Sequence, residues 1–330
     1  VLLVPSYNHW ESRKTVDTSM LDKTGKLRLS LPVMTANMDT VTETAMADFI
    51  GAKGGIGVLH RFMSIADNID LFKACTHKTF VSIGCSAGDL ERAEALRDAG
   101  ADLFCIDVAH AHARYVGKTL QKVRAMLGKE ACIMAGNVAT YAGADYLASL
   151  SADIIKVGIG GGAVCTTRIK TGYGVPNLTA FRNSARVDRS IVADGGIRSP
   201  GDIVKALAFG ADFVMIGSML AGTRPTPGVV MTRKNERGED VRVKAYRGMA
   251  SSEVQDDYHG GMAEWKTAEG VAVDVPYCET EEQIVADIIG GLRSGLTYGG
   301  AATIRELQRK LDYIRITPAG RHESLPHRTL

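Results

Sequence analysis

Eight short apolar runs, separated by stretches with helical spacing, constrain this chain more than any other feature of its sequence. They are LPVMTANM (31–38), GGIGVLH (54–60), TFVSIGC (79–85), LFCIDVAH (103–110), CIMAGNVA (132–139), DIIKVGIG (153–160), SIVADGG (190–196) and DFVMIGSML (212–220). Strands this apolar on both faces belong in a buried parallel sheet. The stretches between them, such as GDLERAEALRDAGA and SPGDIVKALAFGA, carry a polar face, apolar spacing of three and four, and Gly near their ends. Ser199-Pro200-Gly201-Asp202 reads as a helix start. Eight such units in succession predict an α/β fold, a closed (β/α)8 or TIM barrel, occupying residues 1–330 as a single domain. An open doubly wound sheet is the rival, but no GxGxxG run opens an early helix.

The pattern breaks after residue 221. Residues 222–280 are polar and Gly-rich, and RKNERGEDVRVK within them reads as an exposed β-hairpin. Excursions this long are usually lids or binding loops, so an active-site lid is expected here. Helical periodicity resumes in EEQIVADIIGGLRSGL and AATIRELQRKLD. The tail, residues 317–330, is polar and reads as mobile or held by a neighbouring subunit.

A net charge of +2 gives no broad field for nucleic acid or a membrane surface. No apolar stretch reaches the roughly 20 residues that cross a bilayer, and no signal-peptide pattern is present. The first residue is Val1, which implies a start further upstream. The six cysteines are scattered without a CxxC pair, several in apolar runs, as expected of buried free thiols in a reducing compartment. A cytoplasmic location follows.

In a barrel of this kind, chemistry sits where strands end. Those ends carry Asn37 and Asp39, His60 and Arg61, Asp107 and His110, Asn137, Gly160 to Gly162, Asp194 to Gly196, and Gly217 with Ser218. The glycines after strands seven and eight lie where such barrels often bind phosphate through backbone N–H groups; a tight turn is the plainer role for any one of them. Cys165 stands apart from the other cysteines. It follows strand six in the Gly-rich run GIGGGAVCTTR, where backbone amides and Arg168 could favour a thiolate. No adjacent His–Asp pair suggests a protease-like nucleophile.

The run KVGIGGGAVCTTRIKTGYGVPNLTA resembles the catalytic loop shared by IMP dehydrogenases and GMP reductases. PVMTANMDTVT, IDVAHAH, AGNVAT, IVADGGIRSPGDIVKALAFGADFVMIGS and DIIGGLRSGLTYGGA match the same superfamily in order, so the resemblance covers essentially the whole chain. It implies a covalent strategy in which Cys165 adds to purine C2 and a nicotinamide cofactor exchanges hydride at that carbon. HRFMSIADNIDLFKACTHKTFVSIGC runs straight into strand three, without the regulatory repeats that dehydrogenases usually insert. The lid sequence YRGMASSEVQDDYHGGMAEWKTAEGVAVDVPY lacks the Arg-Tyr pair with which dehydrogenases activate water. Both features are similar to the reductase branch, which converts GMP with NADPH into IMP and ammonia. The dehydrogenase lacking the insert is the alternative.

By that resemblance, Cys165, Thr167 and Glu269 are catalytic: nucleophile, proton-handling hydroxyl and acid for the departing amine. Asp194, Gly195, Gly196, Gly217, Ser218, Tyr246, Gly248, Met249, Ala250, Lys266 and Gly270 would bind the mononucleotide. Asp107, Val108, Ala109, Arg61, Ile159, Gly160, Trp265 and Lys266 would face NADPH, with Ser12, Arg13, Ser294 and Thr297 contributing across a subunit boundary. The carbonyls of Gly160, Gly162, Cys165 and Arg168 match a potassium site, and a homotetramer is implied. The sequence also departs from the family. GGGA stands where GPGS is usual, so Gly161 and Ala163 remove a rigid residue and a phosphate-binding hydroxyl. Lys266 replaces an Arg, and the tail AGRHESLPH is closer to dehydrogenases. Ala163 leaves open a nucleotide-binding regulatory barrel with weakened catalysis.

Overall fold

The computed structural model describes residues 1–326. All eight apolar runs form strands: β1 (Val33–Thr35), β2 (Ile56–Leu59), β3 (Thr79–Ile83), β4 (Leu103–Asp107), β5 (Cys132–Val138), β6 (Ile154–Val157), β7 (Ser190–Asp194) and β8 (Phe213–Ile216). They pair in parallel and in chain order, and β8 closes on β1 with Val214 opposite Val33 and Ile216 opposite Thr35. The (β/α)8 barrel expected from the sequence is therefore the fold. Almost every strand residue is buried, as it must be where side chains fill the barrel on one face and meet helices on the other.

The helices are α1 (Thr44–Ala52), α2 (Ile65–Ala74), α3 (Ala87–Asp98), α4 (Arg114–Leu127), α5 (Tyr141–Ser149), the short α6 (Thr167–Thr171), α7 (Asn177–Ser184), α8 (Pro200–Ala208), α9 (Ser252–His259) and α10 (Glu281–Tyr298). Their starts follow local chemistry. Ser86 and Asp89 form a reciprocal capping box at α3, and Ser199 caps α8 with Pro200 in its first turn. The last β/α unit is interrupted by the excursion, so α10, which packs beside α8, follows the lid in the chain.

The end of the barrel where the strands begin is sealed by charge. Asp153, just before β6, accepts from the Ile133 amide at 2.8 Å and from Lys26 at 2.8 Å, and also pairs with Arg124. Asp212, just before β8, accepts from the Ile191 amide at 2.9 Å and pairs with Arg305. The segment between the short paired strands Met20–Leu21 and Arg28–Leu29 crosses the same end, where the Lys23 amide donates to the Ser190 hydroxyl. Only the opposite end is free for chemistry.

The excursion holds a three-stranded antiparallel sheet of β9 (Met231–Lys234), β10 (Asp240–Arg247) and β11 (Ala272–Pro276). The expected hairpin is β9–β10, with Lys234 opposite Asp240. Helix α9 lies between β10 and β11. Beyond α10 come α11 (Ile304–Arg309) and α12 (Pro318–Glu323). Part of the tail read as mobile or subunit-held is thus helical, with Thr317 capping α12; its residues 327–330 lie outside the described ones. No helix among the described residues is long and apolar enough to cross a membrane.

Asp153→Ala leaves the largely buried Arg124 with carbonyl acceptors only and the Ile133 amide without its carboxylate. It should lower the unfolding free energy by about 3–5 kcal/mol, the usual effect of breaking a buried pair, as read from the denaturant midpoint. An unchanged midpoint would show that the sealed end is not what holds the barrel closed.

Candidate active site

The open end of the barrel holds a cavity of about 640 Å³ lined by the ends of the strands, the loop after β6 and the lid. Cys165 sits in its wall, half-buried, unlike the fully buried Cys105 and Cys132. Burial pushes the Cys105 thiol up to about 12, where it stays protonated and inert.

The lid meets the loop that carries Cys165 through backbone pairing. The Thr166 amide donates to the Glu269 carbonyl at 2.8 Å and the Val271 amide to the Val164 carbonyl at 3.0 Å, with Cys165 opposite Gly270. Two glycines make this approach feasible. A Cβ on Gly248 would lie 2.9 Å from the Val164 carbonyl oxygen, and one on Gly270 would lie 3.2 Å from the Gly248 Cα. The pairing places side chains as well as backbone. Cys165 Sγ donates to Thr167 Oγ1 at 3.2 Å, and Thr167 Oγ1 donates to Glu269 Oε2 at 2.8 Å. A thiol, a hydroxyl and a carboxylate therefore form one continuous hydrogen-bond chain along the cavity wall.

Arg247 locks the other edge of the lid. It binds Asp39 at 2.6 and 3.0 Å from the loop after β1, and Asp257 of α9 at 2.6 Å. The Met249 sulfur accepts from the Asp39 amide at 3.4 Å. Met249 and Ala250 consequently line the cavity with Gly248.

The cavity floor carries two carboxylates, Asp107 at the end of β4 and Asp194 at the end of β7. Lys156 of β6 stands between them, 2.7 Å from Asp107 and 2.9 Å from Asp194. Asn137 donates to Asp194 at 2.8 Å and to the Gly158 carbonyl at 2.6 Å. Burial works to raise the Asp107 pKa, but the Lys156 ammonium outweighs it, helped by Arg61 and Asn37, and holds the carboxyl below its ordinary range. Lys156 and Gln255 were not singled out by the sequence reading. A lysine inside the apolar run DIIKVGIG was the available signal, because lysine is rarely buried without a partner.

Of the remaining expected residues, Arg61, Val108, Ala109, Ile159, Gly160, Gly162, Gly195, Tyr246 and Lys266 line the same cavity. Burial, then Asp194, pushes the Tyr246 phenol up to about 12, so it remains a donor at neutral pH. A Cβ on Gly217 would lie 3.4 Å from its hydroxyl, which puts the ends of β8 and β10 side by side. Gly196, Gly217 and Ser218 lie at the strand ends outside the cavity lining, as does Gly270, which pairs with Cys165. Trp265 is exposed with Lys266 over its ring at 5.0 Å. Ser12, Arg13, Ser294 and Thr297 are not brought to this cavity within one chain. Arg13 donates to Ser294 at 2.9 Å, and Arg13 and Thr297 line a separate 320 Å³ depression beside Trp10 and Tyr298.

Arg168 behaves differently from the expectation that it flanks the thiol. Its guanidinium donates to the carbonyls of Ile159 at 3.2 Å and Val175 at 2.8 Å and to Asn177 at 3.0 Å, so it braces the loop. Asn177 also donates to the Gly195 carbonyl at 2.6 Å. A Cβ on Gly161 would lie 2.5 Å from the Asn177 amide nitrogen, which accounts for glycine at that departure from the family pattern. Of the four carbonyls considered for potassium, those of Gly162 and Arg168 already accept backbone amides, each retaining a second lone pair. No cluster of three metal-binding side chains occurs among the described residues.

A family model described as IMP dehydrogenase / GMP reductase domain matches residues 1–327. The chain belongs to the IMP dehydrogenase / GMP reductase family. It is an oxidoreductase of purine nucleotide metabolism on that ground. Human GMP reductase 1 is 38% identical, over 96% of this chain and 94% of that relative. Among solved structures, IMP dehydrogenase from Legionella pneumophila is 66% identical with a TM-score of 0.88, covering 97% of this chain and 98% of the other. A GMP reductase from Trypanosoma brucei, solved as a Cys-to-Ala variant in complex with guanosine 5′-monophosphate, is 26% identical with a TM-score of 0.92 over 100% and 97%. Both branches of the family thus stand among the close matches, and the site chemistry has to choose.

Gly270→Ala places a methyl group against backbone atoms of Gly248, Ser251 and Val164. The lid should lift from the loop: limited proteolysis within 248–271 should accelerate while thermal unfolding of the barrel stays put. Turnover should fall about 100-fold, the usual cost of a 1 Å misplacement at a reacting centre. Unchanged proteolysis would show that the lid is not seated by this pairing.

Proposed function

We propose that the chain is an NADPH-dependent GMP reductase, converting GMP to IMP and ammonia through a covalent bond between Cys165 and purine C2. The Cys165–Thr167–Glu269 hydrogen-bond chain supports the covalent step, and the lid sequence, without an Arg-Tyr pair, carries the choice of reductase. As Sγ adds to C2, its proton passes to Thr167 and the Thr167 proton to Glu269. Glu269 then holds the proton that the 2-amino group needs to depart as ammonia. The balance closes without outside acid: a thiol and GMP give a thioimidate and ammonia. The nicotinamide cofactor, when bound, supplies a hydride at C2, and the C–S bond breaks to return the thiolate and IMP.

The rest of the site fits a mononucleotide. Asp194 can accept from both ribose hydroxyls. Tyr246 and the backbone amides at Gly196, Gly217 and Ser218 would take the phosphate, without a hydroxyl at residue 163. The backbone of Gly248, Met249 and Ala250 would read the base. Asp107, Val108, Ala109, Ile159, Gly160 and Arg61 form the part of the wall facing the cofactor, with Lys266 at the rim and Trp265 beside it. Ser12, Arg13, Ser294 and Thr297 suit contacts to the cofactor of an adjacent subunit, and a homotetramer in the cytoplasm accompanies this reading. The carbonyls of Gly160, Gly162, Cys165 and Arg168 suit potassium, a hard cation that oxygen donors hold; there it would stiffen the loop carrying Cys165. The barrel, the lid at 222–280 and the tail from residue 317 act as one domain.

The 66% identity to a protein titled IMP dehydrogenase favours a second reading, IMP oxidation followed by hydrolysis. Hydrolysis needs an activated water, and the lid sequence lacks the Arg-Tyr pair that supplies one in dehydrogenases. We therefore place the reductase first. GMP with NADPH should consume the cofactor and release IMP and ammonia in equal amounts. Cys165→Ala should abolish turnover and keep nucleotide binding, while Glu269→Gln should lower kcat about 10²- to 10⁴-fold, the range for a lost general acid. Oxidation of IMP with NAD and no reduction of GMP would overturn the proposal in favour of the dehydrogenase.

A further inference from the structure

Lys156 has no part in the chemistry just described, yet it carries a charge at a buried position of the barrel. It lies on a strand whose other residues are apolar, its side chain is 4% exposed, and it faces the interior rather than water. Burying an ammonium is unfavourable unless it is paired, and here it has two partners on different strands. Asp107 of β4 belongs to the cofactor side of the cavity and Asp194 of β7 to the ribose side.

We infer that Lys156 is a positioning residue that keeps both floor carboxylates ionised and so lets the nucleotide and cofactor halves of the site work together. This rests on the reading that Asp194 takes ribose hydroxyls. Two carboxylates converging on one buried point cannot both stay charged without a cation between them. Protonation would cost Asp194 an acceptor, and a diol needs two acceptors to be held. Asp107 and Cys105 face the ammonium from β4 and Asp194 from β7. Arg61, after β2, reaches Asp107, while Tyr246, from the lid, responds to Asp194. Burial opposes the charge on Lys156, but the two carboxylates raise its pKa well above the ordinary value. Asn137 supplies only a neutral amide to Asp194 and cannot replace the ammonium.

The test uses Lys156→Met, Lys156→Arg and the double variant Lys156→Met/Asp107→Asn. In the free proteins at neutral pH, infrared spectra should show a protonated-carboxyl band in Lys156→Met. Wild type, Lys156→Arg and the double variant should lack that band. By calorimetry, Lys156→Met should bind GMP about 10- to 100-fold more weakly, the value of hydrogen bonds to a charged group. Its affinity should recover as pH rises, because the carboxylate pair then ionises fully, whereas wild-type affinity stays flat through neutral pH. The double variant should regain GMP affinity although it has lost a second polar group, which no loss of packing would predict. No protonated band in Lys156→Met, or no recovery in the double variant, overturns the inference. Failure of the wild-type protein to bind GMP would instead count against the proposed function and leaves the infrared result to decide the role of Lys156. Should Lys156→Met alone fail to fold, the double variant folding and binding GMP supports the inference, and its failing to bind while Lys156→Arg does overturns it.

Discussion

The site depends on one backbone pairing, the short antiparallel contact of residues 269–271 with residues 164–166. A thiol on a loop is a weak and poorly directed nucleophile until something can take its proton. The barrel supplies Cys165 and Thr167 together, two residues apart at the start of α6, and in the proposed mechanism the proton that leaves the sulfur needs an acceptor beyond them. The acceptor comes from more than a hundred residues further along the chain. It arrives because Gly248 and Gly270 allow two backbones to approach where any side chain would hold them apart. The same contact that lines Cys165, Thr167 and Glu269 up in one hydrogen-bond chain also brings Gly248, Met249 and Ala250 of the lid to the cavity wall.

Electrostatic order is arranged at both ends of the barrel in different ways. At the sealed end, Asp153 and Asp212 each accept a strand amide and pair with cations from outside the sheet, which fixes register and closure. At the open end the arrangement is inverted. A single cation from a strand, Lys156, sits between two carboxylates that line the cavity. The first network is satisfied within the protein; the second leaves acceptors for a ligand. Arg168 and Asn177 then tie the loops after β6 and β7 to each other, which joins the wall bearing Cys165 to the strand end bearing Asp194 by hydrogen bonds.

Much of this was legible in the sequence. The eight strands are found where apolar runs place them, since burial on both faces leaves little ambiguity in a parallel barrel. The hairpin in the excursion was visible through its charged segment, and Cys165 and Glu269 through their family motifs. The docking of the lid was not visible, because it is made by backbone atoms and glycines that carry no side-chain signature. Lys156 was written plainly in an apolar strand, but its meaning needed its partners on β4 and β7. Arg168 illustrates the converse. Its nearness in sequence to Cys165 suggested an electrostatic role, whereas the fold turns its guanidinium onto loop carbonyls.

If, as proposed, the lid gives the leaving group a proton path and activates no water, the reverse direction shows it most directly. IMP and oxidised cofactor, mixed without ammonia, should yield at most one reduced cofactor per Cys165, and the nucleotide should remain attached to that sulfur in the intact-protein mass spectrum. Adding ammonia should release it as GMP. Sustained formation of reduced cofactor and free xanthosine monophosphate, with no ammonia present, would mean that water is activated in this site and would contradict the account.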